Sequence, residues 1–283
     1  MSTRLRGLDH AIIGVRDLEA ARVGWARLGF NSAPRGRHLG WGTANYCIMF
    51  ETGYLELLGI VDASQFTNRL DRFLAEREGL LGLALATDDA DATQRGWAEA
   101  GLEPSPPQVL KRLLEAGPDP LELRFENVML DPAATGGVSI FACRHLTPDL
   151  LRRPPWLAHP NGALGISSCT IVTRRTGPLV EAMARIFGAG SLTRTDEVWA
   201  VHAGGTVLLL ATPDDAELLH PGFPLTEPDD GPLLQVLAVK VEDPERAATF
   251  LSRQGVAFGR DAAGGVLVQP AEANGVCLEL VRR

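Results

Sequence analysis

The sequence predicts an α+β protein built from four copies of one βαβββ unit, the copies pairing into two domains. Three observations predict it. Apolar strand-like runs recur at four places, and helix-spaced apolar residues follow each of them. The 283 residues suit two domains of ordinary size. No single βαβββ unit can bury both its helix face and its sheet face, so the copies must pair.

The first copy opens with Leu8 to Val15. Asp17 can cap the helix that follows, Leu18, Ala21, Trp25 and Leu28 recur at helical spacing, and Gly29 stops it. Ala44 to Phe50 and Tyr54 to Ile60 then read as strands. The second copy starts at Gly82 to Ala86, with Asp88 or Asp89 as cap and a helix ending near Gly101. A proline-rich stretch, Pro104 to Pro107, precedes strands at Leu121 to Asn127 and Gly137 to Cys143. The third runs from Gly165 to Thr173, with a helix over Pro178 to Phe187 and strands near Glu197 to Val201 and Thr206 to Ala211. The fourth begins at Leu233 to Val241. There Asp243 caps, Pro244 takes the first helical position and Gly255 ends the helix before Gly264 to Val268 and Val276 to Val281. Pairing copies one with two and three with four leaves Thr147 to Gly162, rich in proline and ending in Asn-Gly, as the linker.

Composition removes whole classes of function. Apolar residues make up 45% and charged residues 22%, which excludes a disordered chain, collagen and a coiled coil. The net charge is -8 with no basic block, so nucleic acid and anionic membranes are poor partners. The longest uncharged apolar stretch, Gly79 to Ala86, is too short to cross a bilayer. Met1 to Arg6 carries no hydrophobic signal region, so a cytoplasmic location is expected. Cys47, Cys143, Cys169 and Cys277 are scattered through apolar runs without a CxxC or CxxH pair, which reads as buried free thiols and not a zinc finger. No GxSxG, HExxH or phosphate-loop pattern occurs.

Two residues stand out on strands. Glu56 alternates with Tyr54 and Leu58, and Leu55 and Leu57 take the other face. With both faces apolar, the carboxylate either lies at an edge facing water or is compensated by a cation or strong donor. His10 shares a face with Ile12 and reads first as a core histidine bonded to backbone, with a ligand as the alternative. The segment Gly36 to Asn45 reads as a glycine-flanked loop before a strand. In it Arg37 can bind a substrate carboxylate, His38 can act in catalysis, Trp41 can cover an apolar substrate and Asn45 can orient a carbonyl. In His159-Pro160-Asn161-Gly162, a structural turn competes with an acid–base role for His159 and a substrate contact for Asn161. His202 and His220 show no partner and read as surface residues.

Four βαβββ modules opening with Leu8-Asp9-His10 resemble the vicinal oxygen chelate superfamily, which includes glyoxalase I and the extradiol dioxygenases. More narrowly, the chain resembles the glyoxalase-like-domain family. That match lies in Leu8-Asp9-His10, Gly36 to Asn45, Tyr54-Leu55-Glu56-Leu57-Leu58 and Trp156 to Ala163. The resemblance implies concave mixed sheets in two domains, residues 1–146 and 163–283, joined by the linker 147–162. In the superfamily the first and last strands of a module lie side by side and each can offer a ligand to a divalent metal. His10 and Glu56 match those positions. Imidazole with carboxylate suits iron, manganese, zinc or nickel.

Module two, in Leu83 to Ala86 and Val138 to Phe141, offers no good ligand at the counterpart positions. His145 is the nearest substitute, and His159 could fold back from the linker. Module four repeats the carboxylate in Val276-Cys277-Leu278-Glu279-Leu280, with Gln235 near the histidine position as a second, weaker site. The alternative for Glu279 is a salt bridge to Arg282 or Arg283.

The expectation is therefore an enzyme that binds a small organic substrate, with a metal polarising its adjacent oxygens in isomerase, lyase or dioxygenase chemistry. The alternative is a metal-free binding or resistance protein that holds an aromatic compound between Trp41, Tyr54 and Phe50. Modules three and four could equally serve as a scaffold or the surface of a homodimer.

Overall fold

The computed structural model describes residues 4–282. Met1 to Thr3 and Arg283 lie outside the described residues, and with them part of the N-terminal signal reading and the Arg283 pairing. Module one is β1 (Leu5–Gly14), α1 (Leu18–Arg27), β2 (Gly36–His38), β3 (Thr43–Met49) and β4 (Tyr54–Ile60). After α2 (Leu70–Glu76), module two is β5 (Gly79–Thr87), α3 (Ala90–Glu99), β6 (Gln108–Leu114), β7 (Leu121–Met129) and β8 (Ser139–His145). The short α4 (Pro154–Leu157) precedes module three, which is β9 (Ala163–Val172), α5 (Thr176–Phe187), β10 (Leu192–Thr195), β11 (Val198–Ala203) and β12 (Thr206–Ala211). After α6 (Pro213–Leu219), module four is β13 (Leu233–Val241), α7 (Pro244–Arg253), β14 (Phe258–Arg260), β15 (Val266–Val268) and β16 (Cys277–Arg282).

The repeat is visible in the pairing. In every module the first strand pairs in parallel with the last: β1 with β4, β5 with β8, β9 with β12 and β13 with β16. First strands of paired modules run antiparallel, β1 with β5 and β9 with β13. Modules one and two close into an eight-stranded barrel in the order β1-β4-β3-β2-β6-β7-β8-β5. Modules three and four form an eight-stranded sheet in the order β10-β11-β12-β9-β13-β16-β15-β14, with no pairing between its outer strands. We take residues 147–162 as the boundary between two domains.

Helix ends follow the expected chemistry. The carboxylates of Asp17, Asp89 and Asp243 accept from Ala20, Ala92 and Glu245 backbone N–H groups at the starts of α1, α3 and α7. These helices bury one face each: Leu18, Ala21 and Trp25 on α1, Trp97 on α3, Leu179, Met183 and Ile186 on α5, and Ala247 and Leu251 on α7. The outward side chains of the strands, among them Ala11, Ile13, Leu55, Leu57 and Leu83, join those helix faces in one apolar core that runs through both halves. Two indoles cross between the halves. Trp25 Nε1 donates to Asn274 Oδ1 at 3.2 Å, and Trp97 Nε1 donates to the Ile186 carbonyl at 3.1 Å. Module one thereby meets module four, and module two meets module three. Among the described residues no helix is long and apolar enough to cross a membrane.

Seven short elements lie outside the runs that the sequence marks: β2, α2, β6, α4, β10, α6 and β14. Between Pro107 and Leu121 no strand is expected, because Val109-Leu110-Lys111-Arg112-Leu113-Leu114 mixes charge and apolar residues without strict alternation. The structure makes it β6, the strand that pairs with β2 and closes the barrel. Its irregularity comes from a buried arginine on the inner face, where a strand normally carries an apolar side chain.

Candidate functional site

Alternation along the strands sorts each side chain between the outer core and the barrel interior. On β4, Leu55 and Leu57 enter the shared core, and Tyr54, Glu56 and Leu58 face a cavity of about 150 Å³. On β1, Ala11 and Ile13 go outward, and His10 and Ile12 line the same cavity. His38 and Trp41 from the β2–β3 hairpin, Arg112 from β6, Phe125 and Asn127 from β7, and Phe141 and Cys143 from β8 complete its walls. The apparent ambiguity of Glu56 is thus settled: its two apolar neighbours on β4 face another core altogether.

The polar end of the cavity is a connected chain. β1 carries a register shift between Leu8 and His10 in its pairing with β5. Asp9 is buried beside His10, and its Oδ2 lies 2.7 Å from His10 Nδ1. His145 Nε2 reaches the same carboxylate from β8, at 2.9 and 3.1 Å. On the other edge of its ring, His10 Nε2 stands 3.4 Å from Glu56 Oε2. Asn45 Nδ2 donates to Glu56 Oε1. His38 Nε2 lies 3.9 Å from that oxygen, and its Nδ1 contacts Thr43 Oγ1 at 2.9 Å. The His10 ring stacks on Tyr54 with centroids 4.3 Å apart.

Burial opposes every charge in this chain, and the hydrogen bonds decide the outcome. For His10, burial lowers the pKa, but the bonds to Asp9 and then Glu56 win and raise it to about 9. For Glu56, burial raises the pKa and the bond from His10 outweighs it, leaving about 2. Asp9 is held below the usual carboxylate range by His10 and His145 against its own burial. His38 has no such partner, so burial pushes it down to about 4 and keeps the imidazole neutral. Burial likewise drives the Cys143 thiol well up, with Asp9 and Glu56 adding to the effect.

The arrangement fits a divalent metal at His10 and Glu56. Two ligands about 2.0–2.2 Å from one ion sit roughly 3 Å or more apart, and 3.4 Å satisfies that. Asp9 on Nδ1 stands where a carboxylate would orient a ligating imidazole and leave its Nε2 for an ion. His145 is drawn instead toward Asp9 and Cys143. Donor atoms of those three residues all lie within 4.8 Å of one another. Ala84 stands opposite His10 across the β1–β5 pairing, but spacing from the helix caps Asp17 and Asp89 matches Gly82 to His10 and, through the β5–β8 register, Phe141 to Glu56, so the counterpart positions hold no ligand. Cys143, which the sequence places at the end of that last strand, lies two residues further on, beside Ala86.

Several expected site residues lie elsewhere. Arg37 is exposed, because it is the outward residue of β2 between Gly36 and His38. His159 is buried, but Nδ1 accepts from the Asn31 N–H at 3.0 Å and Nε2 donates to the Met49 carbonyl at 2.9 Å, so it pins the linker and reaches no cavity. Asn161 is spent the same way, on the Leu28 carbonyl and the Ala163 N–H. A Cβ on the neighbouring Gly29, which has φ +88°, would lie 2.7 Å from the Asn161 Cβ. Phe50 packs in the outer core against His159.

In module four, Gln235 bonds both backbone groups of Thr226, and Val236, not Gln235, holds the register position of His10. Glu279 Oε1 lies 2.7 Å from His220 Nδ1, and His220 Nε2 lies 2.9 Å from Thr170 Oγ1. His220 is therefore a buried residue and the partner of Glu279, in place of Arg282 or a surface setting.

A family model described as a glyoxalase-like domain matches residues 8–187. The chain belongs to the glyoxalase-like domain family. No curated protein matches it. Among solved structures, a hypothetical protein from Staphylococcus aureus shares 11% identity and a TM-score of 0.69, over 98% of this chain and 99% of that one. A mutant of 4-hydroxymandelate synthase from Streptomyces coelicolor shares 15% identity and a TM-score of 0.60, over 99% and 93%. A xylose isomerase-like TIM barrel/4-hydroxyphenylpyruvate dioxygenase fusion protein shares 16% and 0.58, and this chain spans 50% of its length. At these identities the likeness is one of fold, the vicinal oxygen chelate fold. The glyoxalase-like match begins at Leu8, two residues before His10, and takes in Glu56 and the whole barrel.

Proposed function

We propose that this glyoxalase-like protein is an enzyme that binds a small organic molecule inside the N-terminal barrel, beside a divalent metal held by His10 and Glu56. The observation that carries the reading is the pair itself. An imidazole and a carboxylate, 3.4 Å apart, face one cavity, with Asp9 behind the imidazole. Iron, manganese, zinc or nickel suits that donor pair. A bound metal would act as a Lewis acid on adjacent oxygens of the substrate, the starting point shared by isomerase, lyase and dioxygenase chemistry.

The chain's own residues have separable tasks. Asp9 fixes the tautomer and angle of His10. Asn45 holds one oxygen of Glu56, leaving the other toward His10. Neutral His38, on the far side of Glu56, is the group able to take a proton from a substrate at its Nε2. Trp41, Phe125 and Phe141 supply apolar walls, and Trp41 also meets the exposed Phe66 edge to face at 5.1 Å.

One feature favours the metal-free binding alternative. Protonated His10 satisfies both Asp9 and Glu56 with no metal. Metal content of the untagged protein by mass spectrometry, beside a His10→Ala, Glu56→Ala double variant, separates the two. Stoichiometric metal in the wild type that disappears in the variant is the expected result. No metal after reconstitution would overturn the metalloenzyme reading in favour of a binding protein.

A further inference from the structure

Arg112 is only 2% exposed, at the middle of β6. Nη1 contacts Cys47 Sγ at 3.1 Å, and the guanidinium carbon lies 5.1 Å from the Phe125 ring centre. Nε and Nη2 have no hydrogen-bond partner, and no carboxylate among the described residues forms an ion pair with this side chain. Guanidinium is always charged, and a buried charge left unpaired is among the costliest features a fold can carry. Nε and Nη2 share one edge of the guanidinium. That edge is the two-pronged face that takes both oxygens of a carboxylate.

Arg112 lines the same cavity as His10 and Glu56. Gly36 on the paired strand makes room for it, since a Cβ there would come within 2.5 Å of Arg112 Cδ. Lys111, the next basic residue, is exposed and paired with Glu122. Lys111 also lines the cavity, so with that side chain paired the cavity offers one free cation among the described residues, with Glu56 as a fixed negative charge on its wall. That balance admits a single negative charge on the ligand and disfavours a dianionic phosphate. A volume of about 150 Å³ is large enough to hold one benzene ring.

We propose that Arg112 anchors the carboxylate of the ligand, so that the barrel accepts small organic acids whose body, about one aromatic ring in size, lies against Phe125 and Phe141. This rests on the reading of the barrel as a small-molecule site, and it does not depend on the metal.

Isothermal titration of the full chain with benzoate and with neutral benzamide, both in chelator, tests it. Benzoate should bind saturably and at least about tenfold more tightly than benzamide, as charge-assisted bonds to a buried guanidinium require. Arg112→Met should lose at least about tenfold in benzoate affinity and narrow the difference between the probes. Arg112→Lys, which keeps the charge and loses the two-pronged edge, should fall between. Equal binding of the two probes, no saturable benzoate binding, or unchanged benzoate affinity in Arg112→Met would each overturn the proposal. If Arg112→Met fails to fold, the benzoate–benzamide comparison on the wild type still decides. The chelator separates the two readings. A protein that lacks metal yet prefers benzoate sinks only the metal assignment, and a metal-loaded protein without that preference sinks only the anchor.

Discussion

His159 gives the sharpest test of how the linker is held. A buried ring that accepts at Nδ1 and donates at Nε2 must be neutral, with its proton on Nε2. A second proton would go onto Nδ1, directly facing the Asn31 N–H. Burial works the same way and holds the His159 pKa below its ordinary value, the Met49 carbonyl offsetting only part of it. The sign follows from linkage. Below an unfolded-state pKa of about 6.5 the unfolded chain binds the proton and the folded chain resists it. The contribution of His159 is therefore complete above about pH 6.5 and is lost as pH falls below that value.

His159→Phe keeps a ring against Phe30 and Phe50 but removes both bonds and the titration. Asn31 is exposed, so its N–H can turn to water at a cost of about 1 kcal/mol. Met49 is fully buried, and its carbonyl would lose the His159 bond at about 1–3 kcal/mol. At pH 7.5 the variant should be less stable than wild type by about 2–4 kcal/mol in urea unfolding. At pH 5 the gap should narrow, because only the wild type bears the cost of keeping His159 neutral. A gap that does not change with pH, or one under about 1 kcal/mol at pH 7.5, would refute this account of the linker.

Three further outcomes follow from packing and burial. Gly36→Ala should destabilise the barrel by about 1–3 kcal/mol in a thermal scan and weaken benzoate binding, since its methyl group displaces Arg112. All four cysteines are free and buried, and burial pushes Cys169 and Cys277 up to about 12, so Ellman's reagent at pH 8 should modify them only after denaturation. His220→Ala leaves Thr170 and Glu279 without their shared partner inside the C-terminal half. It should cost about 2–4 kcal/mol in chemical unfolding and leave metal content at wild-type level, whereas a drop in metal would place a metal site in that half.

The fold was legible because its signals are local and repeated. Asp17, Asp89 and Asp243 cap helices where the spacing predicts them, and Gly29, Gly101 and Gly255 follow those helices with positive φ. The candidate site was legible on the strands with clean alternation and in the glycine-flanked segment before β3. His10, Glu56, Asn45, Tyr54, His38 and Trp41 all come together at one cavity or directly behind it. Arg112 escaped because a charged residue in an uneven strand looks like surface until the barrel closes around it. His159 and Asn161 misled for the opposite reason. A polar cluster beside a proline reads as chemistry, and satisfying the backbone of a buried connection needs the same residue types. His220 carried no signal at all, since its partners Thr170 and Glu279 lie 50 and 59 residues away along the chain.

The two halves show how one frame meets the same demand in two ways. Registers equate Glu56 with Glu279, each on the last strand of its module beside the module's first strand. Both carboxylates lie largely out of water, so both need a partner. In the N-terminal half the partner is His10 on the adjacent strand, and pairing of β2 with β6 closes the wall around an open interior. In the C-terminal half the histidine position is Val236, and no pairing joins β10 to β14. There the segment after β12 supplies the partner: α6 leads into His220, which reaches both Glu279 and Thr170, and Thr226 beyond it takes up Gln235. A carboxylate answered by the chain's own segment is satisfied within the fold. A cavity that keeps an unanswered guanidinium at one wall and a histidine–carboxylate pair at another is the ground on which we place the proposed ligand in the first half.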